Sequence, residues 1–290
     1  MSATGTTEQP PLAPGARASA RALAAAKKRR ERWLIPLARL VILVLVLGVW
    51  EWGSRIHLAG QPKAIIDPFL WSRPSRIVER IIEWLADGTI FNNVFVTLLE
   101  AAMGFLLGTL FGVAIGFVLA LSDFWARVFN PFIVALNSIP ALVFAPIFFV
   151  IFGLGVESKI AIGSLVVFFL TFWNAFQGVR EVNRDVYRNA QTLGANRPQM
   201  AWHVLLPSAL SWILSSLRTA VGFAMVAAIV GEYLGSTSGL GYIIAQSEGA
   251  FDQTGMMAGL VVLSAFVVAV ASLVAWIERR LLRWKPPPSM

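Results

Sequence analysis

Apolar residues run in six stretches of twenty or more positions, at about 33–52, 94–121, 130–153, 158–178, 208–233 and 255–277. A continuous run of that length spans the hydrocarbon core of a bilayer as an α-helix. The runs do not alternate in short polar/apolar segments, which excludes a membrane β-barrel. Between the first and second runs the pattern changes. Ile77, Ile81, Ile82 and Leu85 recur at helical spacing, with Arg76, Glu79, Arg80 and Glu83 between them, as in an amphipathic helix lying at an interface. The pattern predicts an all-α, polytopic membrane protein of about six transmembrane helices over residues 33–284, with a short tail at 285–290. Residues 1–26 are rich in Ala, Pro, Gly, Ser and Thr, and Lys27-Lys28-Arg29-Arg30 follow. Residues 1–32 are therefore expected to form a disordered basic cytoplasmic tail. A cleaved leader fits less well, because the first run is too long and no small-residue cleavage site follows it.

Composition agrees with a membrane protein. Hydrophobic residues make up 57% of the 290 and charged residues 14%, more apolar surface than a soluble domain of this length can hide. The net charge of +8 suggests a nucleic-acid partner only until its position is considered. Eight basic residues lie between Arg17 and Arg39 and four between Arg279 and Lys285, flanking the first and last runs, where cations meet lipid headgroups and fix orientation. With both termini inside, seventeen Lys and Arg fall in cytoplasmic segments and six in outer loops, with Arg218 inside a run. This asymmetry predicts cytoplasmic N and C termini, and a cytoplasmic connection between the fourth and fifth runs. The first outer loop, with five of the six, is the exception. The chain has no cysteine, so disulfides and thiolate metal sites are excluded. His57 and His203 have no ligand partners at metal spacing and read as polar loop residues.

Several positions inside the runs stand out. Gly104, Gly108, Gly112 and Gly116 recur every fourth residue, which lets a neighbouring helix approach closely. Packing within the chain is the simpler reading, a gate or dimer seam the alternative. Asn137, Ser138, Pro140 and Pro146 mark a bend in the third run, suited to a pore wall, a hinge or a packing kink. Arg218 lies about ten residues into the fifth run, and Glu232 stands about 21 Å further along the same helix. A charge at such depth is costly unless it faces a cavity or a partner. Arg218 either lines a path and attracts an anion or forms a structural salt bridge, for example with Glu100. Arg218, Glu232, Asn137 and Asn174 form the candidate substrate path. No phosphate-binding G-x-x-x-x-G-K-[ST], H-E-x-x-H or G-x-S-x-G motif occurs, so no catalytic residue is expected. An ion-coupled transporter would need protonatable groups at mid-membrane, and few acidic residues lie there.

The most specific segment is the polar connection at 185–207. Its helix is expected to begin near Asp185 and to be broken by Pro198, with re-entry into the membrane at Pro207. Small residues at Ala190, Gly194 and Ala195 would let that helix seat in a groove of a partner. Gly194, nine residues, Val204, one residue and Leu206-Pro207 resemble the "EAA" loop of bacterial ABC importer permeases. Ala190 stands at the second alanine of that pattern, and Arg188 and Asn189 replace its Glu and first Ala. LWSRPSRIV (70–78), NSIPALVFAPIFFVIFGLG (137–155) and GEYLGSTSGLGY (231–242) are similar to elements of the nitrate, sulfonate, taurine and bicarbonate importer family. The resemblance covers roughly residues 35–284.

The resemblance implies a type I ABC importer permease fold in the bacterial inner membrane. It also implies a second permease copy forming a homodimer or pseudo-dimer, and an extracytoplasmic substrate-binding protein. Cytoplasmic ATPase subunits, not this chain, would hold ATP and Mg, so no cofactor is expected here. The expected partners are these proteins and membrane lipid, without nucleic acid. The solute would be nitrate, bicarbonate, an organosulfonate or a small organic precursor, moved inward by alternating access. The residues implied in coupling to the ATPase are Asp185, Arg188, Asn189, Ala190, Leu193, Gly194, Ala195 and Pro207. Where the family's Glu pairs with a basic residue of the ATPase, Arg188 carries the opposite charge, so that contact must differ or shift to Glu181 or Asp185.

Overall fold

The structure is a computed structural model that describes residues 14–56 and 64–281, so His57, Lys63 and the tail at 285–290 lie outside the described residues. Its helices are α1 (Pro14–Gly53), α2 (Pro68–Trp71), α3 (Pro74–Ala86), α4 (Thr89–Ala120), α5 (Asp123–Asn137), α6 (Ala145–Phe152), α7 (Val156–Arg180), α8 (Arg184–Thr192), α9 (Arg197–Met200), α10 (Leu206–Leu234), α11 (Leu240–Gly249) and α12 (Gln253–Leu281). The chain divides into two compact units, Met1–Pro68 and Phe69–Met290.

The first unit is built on α1, a 40-residue helix whose apolar part, Leu34–Gly53, has a mean hydropathy of 2.2. The expectation of disorder over residues 1–32 is corrected from Pro14 onward. The stretch 14–32 is dense in Ala, Arg and Lys, strong helix formers, and it continues the membrane helix without a break. Pro36 lies inside α1. At the end of α1, the Ile66 amide donates to the Gly53 carbonyl at 3.0 Å and Arg55 pairs with Glu51.

In the second unit, α4, α7 and α10 form the central layer. The glycine stripe of α4 packs within the chain, against α7. A Cβ at Gly108 would stand 2.6 Å from the Ser164 carbonyl oxygen, and one at Gly112 2.6 Å from that of Phe168. Thr171 Oγ1 donates to its own helix at Val167 O (2.9 Å) and lies 3.3 Å from Gly108 O across the seam. Ala120, Ala175, Val179, Ala209 and Ile213 form one buried cluster at one end of this layer. Ala101, Met225, Ala228, Leu240 and Phe266 form another, which brings in α11 and α12. Small side chains recur in both because association inside a membrane depends on close packing rather than water exclusion.

The third apolar run differs from its expected single span. It is two helical limbs, Asp123–Asn137 and Ala141–Phe152, bent by 80°. Ser138 Oγ turns back to the Val134 carbonyl at 2.7 Å, Pro140 lacks an amide to continue the ladder, and Pro146 lies in the first turn of α6; such residues stop and restart helices. Among the described residues, five helices are long and apolar enough to cross a membrane, or six if the bent pair counts as one span.

The amphipathic helix forms as α3, with Ile77 buried and Ile82 and Leu85 exposed. It is pinned to the start of α12. Arg80 pairs with Asp252, and the Ser72 and Thr254 hydroxyls lie 2.8 Å apart. Two of the basic residues that crowd the first outer loop, Arg55 and Arg80, are thus matched by acids. Lys159, assigned to an outer loop from the pattern, is instead fully buried in the first turns of α7.

Candidate functional site

The connection from α7 to α10 is an ordered helix–turn–helix. Asn183 caps α8 by accepting the Asp185 amide at 2.8 Å. At the other end the Gly194 amide donates to Gln191 O at 3.0 Å and the Ala195 amide to Ala190 O at 3.1 Å. This paired pattern requires a left-handed residue at the turn, and Gly194 supplies it with φ +82°. Asn196 and Gln199 then form a reciprocal capping box, both bonds at 2.9 Å, which opens α9. Pro198 therefore sits in the first turn of a new helix rather than breaking the old one, and Gly194 is the true stop. The start of the helix that carries Pro207 also differs from expectation. Arg197–Leu234 is continuous, with a π-helical turn over Ala201–Leu205 just before Pro207. A widened turn accommodates the proline, which offers no amide and crowds the carbonyl four residues back.

The expected coupling residues fall on this element in graded exposure. Asp185, Arg188, Asn189 and Gly194 are exposed, and Ala190 and Ala195 half-buried. Leu193, 87% exposed, is the apolar tip of the turn. Pro207 is exposed but lies apart, beyond the π turn. Beside α8 is an open cavity of about 490 Å³ whose lining includes Asp123, Arg180, Arg184, Tyr187, Arg188 and Gln191. Arg180 is engaged there by Asp123 and lies over the Phe176 ring at 5.3 Å. Sequence reasoning missed Arg184 and Tyr187 as part of this surface. The available signal was the four-residue spacing of Arg184 and Arg188, which puts both on one helical face.

The four candidate path residues are not gathered into one site. Arg218 lies on an exposed, partly polar face of α10 with Ser211, Ser215, Thr219 and Gly222. Asn137 is exposed at the end of α5, and Asn174 is half-buried with its amide on Leu170 O at 2.8 Å. Glu232 is enclosed, and its carboxylate is taken up inside the chain. Thr97 Oγ1 donates to Glu232 Oε1 at 2.6 Å and the Gly241 amide to Oε2 at 2.7 Å. Thr97 Oγ1 also accepts the Leu240 amide at 2.9 Å, and Asn93 Oδ1 accepts that of Gly239 at 2.7 Å. Three side chains on α4 and α10 thus cap the N terminus of α11, a good place for a carboxylate. The nearby charges around Glu100 are Glu232, Lys159 and Glu157, so the salt bridge considered between Arg218 and Glu100 is not what surrounds it. Lys159 Nζ donates to Leu154 O (2.5 Å) and Gly155 O (3.0 Å), fastening the turn before α7.

Residues 108–283, which hold most of the glycine seam, the capped connection and Glu232 with α11, match the family model described as "Binding-protein-dependent transport system inner membrane component". The chain belongs to this family. The permease is 30% identical to the formylaminopyrimidine transport permease protein ThiX of Halalkalibacterium halodurans, over 84% of its own length and 94% of that protein. It is 29% identical to the taurine transport system permease protein TauC of Escherichia coli, over 88% and 94% of the two chains. A putative aliphatic sulfonates transport permease protein, SsuC of Bacillus subtilis, is 30% identical over 89% and 90%. Among solved structures, an inward-facing form of the MetNI methionine ABC transporter matches with a TM-score of 0.55 at 22% identity, over 66% of the permease and 93% of that chain. An amino acid ABC transporter matches with a TM-score of 0.57 at 15% identity, over 70% and 97%. These structures share the fold. The permease is thus a multi-pass inner-membrane component of a binding-protein-dependent ABC importer. Nothing in these matches supports an ion-coupled transporter.

Proposed function

We propose that two copies of this chain form the translocation path of an importer powered by separate cytoplasmic ATPase subunits. Those subunits bind ATP and Mg, and an extracytoplasmic protein delivers the solute. The observation that carries this reading is the exposed, doubly capped element Arg184–Met200, which continues through the π turn into α10. Both its ends are locked by backbone hydrogen bonds, so a force applied at Leu193 or Arg188 is passed on rather than absorbed by a loop. In this arrangement Asp185, Arg188, Asn189, Ala190, Leu193, Gly194 and Ala195 meet the ATPase, and Pro207 marks entry into the membrane. Both termini and the α8 element are cytoplasmic, in keeping with the basic residues on those segments.

The solute is a small anion such as a sulfonate, nitrate or bicarbonate, or a small organic precursor. Support for an anion comes from Arg218, exposed on the same face as Ser211, Ser215, Thr219 and Gly222. Two copies facing each other across that stripe would enclose a polar route with two guanidinium groups. Asn137 and Asn174 shape its margins, while Glu232 supports the route through the α11 cap. The deciding experiment is reconstitution with the cognate ATPase and binding protein in proteoliposomes. Uptake should require ATP and stop when residues 184–196 are replaced by a flexible linker. Uptake that survives this replacement, with the ATPase still bound, would overturn the proposal.

A further inference from the structure

Arg184 and Arg188 project from one face of α8 into the 490 Å³ cavity beside it. Like charges four residues apart on a helix repel each other, and Arg184 also stands at the positive end of the α8 dipole, where a cation is unfavourable. Asp123, the acid in the cavity wall, is engaged by Arg180. Among the described residues, Arg184 and Arg188 make no ion pair within the chain. The cavity therefore presents a surplus of guanidinium groups, and Leu193, at the C-terminal end of α8, is an exposed apolar side chain.

We infer that this cavity is a docking pocket for an acidic side chain of the ATPase subunit, with Arg184 and Arg188 as its two arms. The inference rests on the coupling role proposed above and sharpens it. The charge at this contact is negative on the ATPase and positive on the permease, the reverse of the family pattern in which the permease supplies a Glu at the position of Arg188. Tyr187 and Gln191, also in the lining, complete a wall that can donate further hydrogen bonds to a carboxylate. Paired guanidinium groups suit a carboxylate because their N–H forks match its two oxygens. Leu193 supplies the apolar tip that fixes the approach.

The test uses the assembled transporter in nanodiscs, with three permease variants. Arg184→Gln with Arg188→Gln should weaken association of the ATPase subunit by about tenfold at low salt and flatten its salt dependence. Arg184→Glu with Arg188→Glu should abolish association, and replacing the facing acid of the ATPase by Arg should restore it. Leu193→Asp is the control for the coupling role itself. If Leu193→Asp detaches the ATPase and the glutamine pair does not, coupling stands and the charge inference falls. If none of the variants changes association, both fall. If the glutamine pair instead lowers binding of the detergent-solubilised permease to phosphatidylglycerol vesicles and leaves ATPase affinity unchanged, the occupant is a lipid headgroup and the inference is overturned. Unchanged thermal melting of the permease alone shows that the variants fold.

Discussion

The Glu232 carboxylate, in the last turn of α10, accepts the amide of Gly241, in the first turn of α11 and nine residues further along the chain, at 2.7 Å. The same carboxylate accepts Thr97 Oγ1 from α4, so one side chain joins three helices. This accounts for Gly239 and Gly241 of the GEYLGSTSGLGY segment, which both crowd against Glu232. Gly239 holds φ +108°, and a Cβ there would stand 2.6 Å from Glu232 Oε2.

Glu232→Ala strands the Gly241 amide in a buried site, while the Thr97 hydroxyl falls back on the Asn93 carbonyl at 3.0 Å. An orphaned buried amide costs about 1–3 kcal/mol. Thermal unfolding of the purified permease in detergent should fall for Glu232→Ala and fall less for Glu232→Gln, which keeps one acceptor. Equal melting of the two variants would remove the capping role.

Gly112→Ala drives a Cβ to 2.6 Å from the Phe168 carbonyl oxygen in the α4–α7 seam. Overpacking of this kind costs about 1–3 kcal/mol. Gly222→Ala, with open space around it, should leave stability unchanged. A melting comparison of the two variants separates a packed seam from a solvent- or partner-facing glycine.

Gly194 has open space around it as well, so its requirement is purely one of backbone handedness. A non-glycine residue with left-handed φ costs about 1–2 kcal/mol, and Asn tolerates it best. Binding-protein-stimulated ATP hydrolysis by the reconstituted system should decline in the order Gly194, Asn, Ala, Val at that position, with little change in the melting of the permease itself.

Asp252 sits outside the spans, and its acidity is set by opposing causes. Partial burial pushes its pKa up, while the Gly255 amide at 3.0 Å and the Arg80 guanidinium pull it down, and the net direction is below its ordinary value. A depressed carboxyl stabilises the fold above its unfolded pKa of about 3.9, and that contribution disappears as pH falls through the folded value. Asp252→Asn should therefore lower melting at pH 7, by about 1 kcal/mol or less since the pair is about one-third exposed. The variant should converge with the native protein as pH falls through the folded pKa. A difference that stays constant on acidification would contradict the linkage.

Much of this was legible in the chain. Period and run length alone place α4, α7, α10 and α12, because a bilayer-length apolar run has few other fates. The Gly194 spacing located the turn between α8 and α9, and the glycine stripe declared a close helix seam. What the pattern hid were features made by pairing across distance. Lys159 reads as a loop cation because its solvation by Leu154 and Gly155 carbonyls depends on a turn not visible in the hydropathy. Glu232 reads as a charge in a path because its donors lie 135 and nine residues away. The 80° corner at Ser138–Pro140 is written in the prolines, but its angle is not, since a proline permits a bend without fixing its size.

The unbroken run from Arg197 to Leu234 has a mechanical corollary. At 1.5 Å per residue it is a strut of about 57 Å, longer than the bilayer is thick, with the Glu232 clasp at one end and the capping box at the other. Its single slack point is the five-residue π coil, where an extra backbone residue per turn can be taken up or released. A displacement at the capping-box end would thus reach the Glu232 end as rotation and tilt of one stiff body, with the π turn at its foot.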